Sequence, residues 1–321
     1  MLDELTLSRF EQQGAMLANR VKKRFKHLFK RFARQNIDVF RLYDGEIPEI
    51  RSAVDWYAGH LVIAEYMRRQ SVPEWLPLMG DAVARALDVP ADKTHLKNRQ
   101  AGKQGGKRYE RLARTDQKIA VNERDLKFYV NLNDYVDTGL FSDHRNTRLM
   151  VREVASGKDF LNLYCYTGTF SCYAAKGGAR TTVSVDRSHT AITWARENMA
   201  LNGIPEKGNK LVQSGTLAYL AKAQQAGQRF DLAVVDPPSY STARSGNRDF
   251  DIARDHPVLL AAVIKVMRPQ STIFFSTNHQ NFDLRVDGLD ITRAEEITTE
   301  TIPEDYRSKK KTIHRCWQMT V

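Results

Sequence analysis

Between Asp159 and Asp186 the chain carries an apolar run, Phe160 to Tyr164, a break at Tyr166-Thr167-Gly168-Thr169, a short helical segment, and a β-branched run from Thr181 to Val185 that stops on Asp186. The order predicts strand, turn, helix and strand, a βαβ unit with a right-handed crossover and parallel strands. A small-residue turn after the first strand lets a ligand approach backbone N–H groups at a helix N-terminus. An acid at the end of the second strand, about 20 residues further on, accepts hydrogen bonds from ribose hydroxyls. The turn holds one glycine where a dinucleotide phosphate fingerprint wants three. A nucleoside without phosphate, such as S-adenosylmethionine, therefore fits better than NAD.

The pattern stays regular downstream. Helix Ser188 to Asn202 has Ser188 as its N-cap and Asn202-Gly203 as its stop; strand Lys210 to Gln213 and a helix from Thr216 to Ala226 follow. Strand Phe230 to Val235 leaves the sheet through Asp236-Pro237-Pro238-Ser239-Tyr240, ahead of helix Ile252 to Met267 and strand Ser271 to Ser276. Two last runs, Ile297 to Thr301 and Ile313 to Val321, are expected to pair antiparallel at one edge. The fold class is α/β, a Rossmann-like doubly wound sheet with its site above the carboxyl ends of the strands.

Upstream, Arg20 to Arg34 contains eight Lys/Arg and no acid, while Phe25, Leu28, Phe29 and Phe32 recur at helical spacing. A helix with one docked apolar stripe and a basic face is predicted. The face is either simply solvated, apposed to a membrane surface, or an RNA or DNA contact through Lys22, Lys23, Lys26, Lys30 and Arg31; nucleic acid neutralises the repulsion best. Residues 37 to 89 mix β-like runs (Val39 to Tyr43, His60 to Glu65) with a helix near Trp75 to Leu87. Leu96 to Arg111 sets three glycines among Arg99, Lys103, Lys107, Arg108 and other basic residues, which reads as a solvent loop or as a basic arm that orders on nucleic acid. Two strands are expected within Leu126 to Phe141, with a turn at Asn131 to Asp134. The expected division is residues 1–36 (basic helix), 37–125 (small N-terminal α/β accessory domain), 126–145 (hairpin linker and cap) and 146–321 (nucleoside-binding sheet).

With 321 residues the chain has room for two cores, and an excess of 49 Lys/Arg over 38 Asp/Glu, a net charge of +11, favours an anionic partner, nucleic acid first. Three cysteines, Cys165, Cys172 and Cys316, lack CxxC spacing, so neither a disulfide framework nor a zinc site is indicated. No leader or membrane-spanning run is apparent, and a cytoplasmic location is expected.

Asp236-Pro237-Pro238 stands where a strand leaves the sheet beside the nucleoside site. Two prolines fix φ and have no N–H, so the loop is a stiff exit or a rigid rim of carbonyls against which a flat base could be held, with Tyr240 stacking on it. Asn278 and His279, after the fifth strand, either satisfy their own loop or help bind that base.

These segments resemble a known family. Asp159-Phe-Leu-Asn-Leu with Tyr166-Thr-Gly, Gly177-Gly-Ala-Arg180, Val185-Asp-Arg-Ser188, Asn198 to Gly203, and Asp236-Pro-Pro are similar to the class I rRNA methyltransferases of the RlmK/RlmI group. The likeness also takes in Arg41-Leu-Tyr-Asp44, Ala53 to Tyr57, Asn131 to Arg145 and Ile313 to Trp317, so that it runs from Arg20 to the terminus. Within the group it is nearest the guanine-N7 half of the bifunctional 23S rRNA enzyme, without the THUMP-containing half that makes 2-methylguanine.

The resemblance implies that Tyr166, Thr167, Gly168 and Thr169 hold the methionine end of S-adenosylmethionine and Asp186 its ribose, with Asn162 and Arg187 beside them. It implies a cap over the cofactor from Thr138 to Arg145, including Phe141, Asp143 and Arg145. Asp236, Pro237, Pro238 and Tyr240 would form the target-base loop, with Asn278 nearby. The family usually has an acid after the third strand for the adenine amino group, where this chain has Ser214-Gly215-Thr216; adenine then falls to a hydroxyl, a backbone carbonyl or Gln213, at a cost of about 1 kcal/mol. The implied partners are 23S rRNA or a large-subunit precursor, and a separate 2-methylguanine methyltransferase.

Chemistry separates the reactions open to such a chain. Methylation of pyrimidine carbon-5 needs a cysteine nucleophile, and neither Asp236 to Tyr240 nor Ser276 to Gln280 supplies one. Guanine N7 has an in-plane lone pair free at neutral pH and needs only alignment with the methyl donor. Methylation of an exocyclic amine, and a catalytically weak RNA-binding assembly protein, are the competing expectations.

Overall fold

The computed structural model describes residues 3–100, 111–241, 249–308 and 311–321. Two compact units divide the chain, Met1–Thr138 and Gly139–Val321. The boundary falls inside the stretch expected to be linker and cap.

In the first unit, helix α1 (Glu4–Ala33) starts on Asp3, whose carboxylate accepts the Thr6 N–H at 2.8 Å, and it runs sixteen residues further upstream than the predicted basic segment. Phe10, Leu17, Val21, Leu28 and Phe32 share its buried stripe. Strands β1 (Val39–Asp44), β2 (Ser52–Tyr57), β3 (His60–Met67) and β4 (Thr94–Gln100) form one sheet in chain order, with α2 (Trp75–Leu87) between β3 and β4. The apolar core joins α1 and α2 to Phe40, Leu42, Val54, Leu61 and Ile63. The opposite face holds a buried ion pair: Arg41 donates to both oxygens of Asp55, at 2.8 and 3.0 Å. β4 occupies part of the expected glycine-rich loop; residues 101–110, with Lys103, Lys107 and Arg108, lie outside the described residues.

The hairpin is β5 (Ile119–Glu123) with β6 (Leu126–Val130), earlier than expected. Residues 131–138 are not a strand, because Asn131 Oδ1 accepts the N–H groups of Asn133 and Asp134, closing an Asx turn that takes those donors from any ladder.

In the second unit, α3 (Arg145–Glu153) precedes β7 (Asp159–Leu163), α4 (Thr169–Lys176), β8 (Thr181–Asp186), α5 (His189–Leu201), β9 (Asn209–Gln213), α6 (Thr216–Gln225) and β10 (Phe230–Val235). Two short paired strands, β11 (Tyr240–Ser241) and β12 (Phe250–Asp251), lead to α7 (Ile252–Ile264), β13 (Met267–Thr277), β14 (Arg293–Glu296), the single turn α8 (Thr298–Thr301) and β15 (Arg315–Thr320). The sheet order is β14-β15-β13-β10-β7-β8-β9, parallel from β13 to β9 and antiparallel at β15 and β14. Strand alternation sends Leu161, Leu163, Val185, Val235 and Phe275 to the side covered by α6 and α7, and Phe160, Leu232, Val234 and Phe274 to the side of α3 and α4. The order in which successive strands are added reverses between the parallel neighbours β7 and β10, which opens the ligand crevice beyond their carboxyl ends.

The edge hairpin corrects one expectation. Ile297 to Thr301 is not its strand; β14 lies just before it, and the threonines close a helical turn in which the Thr301 hydroxyl donates to the Thr298 carbonyl at 2.9 Å. Among the described residues no helix is long and apolar enough to cross a membrane.

Candidate active site

At the end of β7 the chain turns through Tyr164, Tyr166 and Gly168 with φ of +57°, +48° and +74°. Left-handed geometry costs a bulky residue roughly 1–2 kcal/mol, so such a turn persists only where its surroundings over-determine it. Here they do. The Asp186 carboxylate accepts the Tyr166 N–H at 3.0 Å and the Ser188 N–H at 2.8 Å, Thr167 Oγ1 donates to the Gly139 carbonyl at 2.6 Å, and Asn198 Nδ2 donates to the Thr167 carbonyl at 2.9 Å. Gly168 is required twice, by its φ and because a Cβ there would lie 2.9 Å from Ala195 Cβ.

Asp186 is thus fixed by backbone donors. Burial raises its pKa, and the Ser188 and Tyr166 N–H groups oppose the rise. Oδ2 takes the Tyr166 N–H and Oδ1 the Ser188 N–H, and carboxylate oxygens can accept further donors such as a ribose hydroxyl. Phe141, 42% exposed, has its ring 5.3 Å from that of Tyr166, which in turn stands 6.4 Å from Trp194. Arg187 and Gly215 are exposed, Ser214 half-buried, and Thr169 and Thr216 buried. A Cβ added at Gly215 would meet nothing within 4 Å, so the end of β9 is open space. This donor set fits a nucleoside.

Two residues expected around the cofactor have protein partners. Asn162 Nδ2 donates to Ser171 Oγ at 2.9 Å beneath α4, and that hydroxyl lies 2.7 Å from Ser184 Oγ, so Asn162 ties β7 to its helix and to β8. Arg145, 1% exposed, donates to both oxygens of buried Asp305 at 3.1 and 3.2 Å.

At the end of β10, Asp236 Oδ1 accepts the Ser276 hydroxyl at 2.6 Å. Pro237 is buried, Ser239 bonds Asn278, and Tyr240 bonds Asp249, which raises the tyrosine pKa. The expected base loop and Asn278 therefore come together at neighbouring strand ends.

A cluster the sequence reading did not assemble lies beside it. His144 and His314 stack at 4.2 Å and 10°. His144 Nε2 is 3.7 Å from Asp236 Oδ2 and 3.8 Å from Asp143 Oδ2, while His314 Nδ1 bonds Asp143 at 3.1 Å and its Nε2 bonds Thr301 at 3.0 Å. Burial, then His314, lowers the His144 pKa. Asp143, His144 and His314 bring metal-ligand atoms within 4.8 Å of one another. Parallel rings, however, send their in-plane lone pairs side by side instead of toward one point, and both His314 nitrogens are already bonded. The arrangement suits a hydrogen-bonded cluster of Asp143, His314 and Thr301 better than a metal, with His144 close to Asp236 but not bonded to it. His314 was legible only through the Ile313 to Trp317 motif: an antiparallel strand beside β13 enters the sheet from the carboxyl edge and delivers the residue before it to the crevice.

All three cysteines are buried, and burial pushes their thiols up, Cys172 to about 12. No thiolate is available for covalent attack on a base. A groove of about 560 Å³ lies at the opposite, amino ends of the strands, where Arg180 and Arg268 pair with Asp159 and Asp231.

Of the basic residues expected to meet nucleic acid, Lys22, Lys23, Lys26, Lys30 and Arg31 are exposed on α1, and Arg99 is half-buried with no hydrogen-bond partner for its Nε among the described residues.

A family model for S-adenosylmethionine-dependent methyltransferases matches residues 55–295. The chain is 40% identical over 307 residues to ribosomal RNA large subunit methyltransferase K of Neisseria meningitidis, covering 94% of this chain and 86% of that protein. It is 40% identical over 310 residues to ribosomal RNA large subunit methyltransferase K/L of Vibrio cholerae, again over 94% of this chain, and spans 43% of that longer protein. A solved methyltransferase complexed with SAH shares the fold, with a TM-score of 0.76, 20% identity, and coverage of 97% of this chain and 82% of that one.

Proposed function

The chain belongs to the family of S-adenosylmethionine-dependent methyltransferases, and on that premise we propose that it methylates N7 of a guanine in large-subunit ribosomal RNA. The rRNA substrate is supported by the names of its 40%-identical relatives. A separate chain making 2-methylguanine is the proposed counterpart of the remainder of the K/L relative.

When bound, S-adenosylmethionine supplies an electrophilic methyl group on a sulfonium. Asp186, the Tyr166 to Thr169 turn, Phe141, Arg187 and the Ser214-Gly215-Thr216 corner would hold it, over the ends of β7, β8 and β9. Asp236, fixed by Ser276 at 2.6 Å, stands at the end of β10. The loop it opens is stiffened by two prolines and tied down at Ser239 and Tyr240. Such a loop can hold a base still while N7 presents its lone pair; with no proton to remove, catalysis is positioning. Asp236 offsets the positive charge that develops on the base.

The observation that carries this reading is the clamped Asp236 beside the cofactor turn in a site with no thiolate. The test is methyl transfer from tritiated cofactor to unmodified 23S rRNA, with nucleoside analysis, comparing wild type and Asp236→Asn. Label in 7-methylguanosine that falls about 10²-fold or more in the variant is expected. Label in another nucleoside refutes the choice of atom, and absence of label favours an RNA-binding protein without transfer.

A further inference from the structure

The charges of α1 are divided by side. Arg20 and Arg24 reach Glu46, at 3.8 and 3.4 Å. Lys22, Lys26 and Lys30 make no ion pair among the described residues. Phe29 shares the unpaired side, since Lys22, Lys26 and Phe29 follow one another at four- and three-residue spacing. Phe29 is 42% exposed. Behind it, Phe25 stacks at 4.8 Å and 29°, and Trp56 from β2 meets Phe25 at 4.7 Å and Phe29 edge-on at 6.2 Å and 87°.

One exposed aromatic needs no explanation by itself. Phe29 differs because a stack of rings holds it rigid from behind while uncompensated ammonium groups flank it. A ring held in place loses little entropy when a flat partner covers it, and every nucleobase offers a π-face. Lysine serves the adjoining phosphates as a point charge without geometric demand.

We propose that Phe29, backed by Phe25 and Trp56, is a stacking platform for one unpaired base of single-stranded RNA, with Lys22, Lys26 and Lys30 on the neighbouring phosphates. The proposal rests on the RNA-substrate reading but concerns binding, not transfer.

The test measures anisotropy of a short, unstructured, fluorescein-labelled oligoribonucleotide, alone and annealed to its complement, over a salt series. Phe29→Ala and Phe29→Leu should both weaken single-strand binding about 5-fold or more, since leucine keeps apolar contact with Phe25 but offers no ring. Phe29→Tyr should bind as wild type, the duplex should be indifferent to all three, and the salt slope should be unchanged. Lys22→Ala with Lys26→Ala should instead lower the slope by about 1.4. Wild-type binding by Phe29→Leu, equal losses on single strand and duplex, or no oligonucleotide binding by wild type would each overturn the platform. Transfer assayed on the same protein separates the two readings: activity with Phe29-independent binding removes the platform alone, and Phe29-dependent binding without activity removes the enzyme alone.

Discussion

His144 and His314 lie ring on ring, 4.2 Å apart and 10° from parallel, with Asp143 bonded to one and Asp236 3.7 Å from the other. Two imidazoles that close cannot both be charged without cost, and the His144 pKa is pushed down, by burial first and by His314 second. Asp236 and Asp143 pull it up, and Arg148 adds to the depression.

The sign of the pH effect follows. Unfolded, His144 regains its ordinary value of 6.5 and binds a proton that the folded protein refuses. The stability this supplies is complete above that value and is lost as pH falls through the lower, folded value. Urea unfolding should show a lower midpoint at about pH 5.5 than at about pH 7.5. In His144→Gln the drop should be smaller but not absent, because burial also lowers His60, His95 and His256. An identical drop in the variant would remove His144 from the account.

Gly215 caps α6 without a side chain, with φ of −66° and ψ of 139°, and a Cβ there meets nothing. Gly215→Asp should therefore fit without strain, cap the helix, and offer the adenine amino group an acceptor. Calorimetric titration should give cofactor affinity about 5-fold tighter, the worth of roughly 1 kcal/mol. Gly215→Ala should bind no tighter than wild type; equal gains in both would point to helix stability instead.

Gly168→Ala places a methyl group 2.9 Å from Ala195 Cβ at φ of +74°. A loss of about 1–3 kcal/mol in unfolding free energy is expected, with cofactor affinity falling further because the turn itself must shift. Unchanged affinity in this variant would place the ligand away from the turn.

Arg145 and Asp305 form an ion pair whose side chains are 1% and 0% exposed. Asp305→Ala should cost about 3–5 kcal/mol by stranding the guanidinium, and Arg145→Met with Asp305→Leu should recover most of it. If the recovered double variant also binds cofactor normally, Arg145 acts by positioning the segment after Gly139; a selective loss of cofactor would restore it to the site.

The parallel strands and their loops were legible because each is a short apolar run between recognisable breaks, and strand Phe230 to Val235 matches its predicted bounds residue for residue. What was missed has a common cause. β4 is written in Thr, His, Leu, Lys, Asn, Arg and Gln, without alternation, and Lys97 is buried there only because its ammonium reaches the Tyr135 and Val136 carbonyls. β14 is exposed throughout and carries no pattern at all. The His144 and His314 pair joins residues 170 positions apart, and no local rule brings such residues together.

β15 lies between β13 and β14, and the residue just before it is His314. The strand that gives β14 its neighbour is therefore also the strand that carries His314 onto His144. Closure of the sheet edge and assembly of the imidazole stack are one structural event, so a lesion that detaches residues 315–320 would unpair β14 and unstack the rings together.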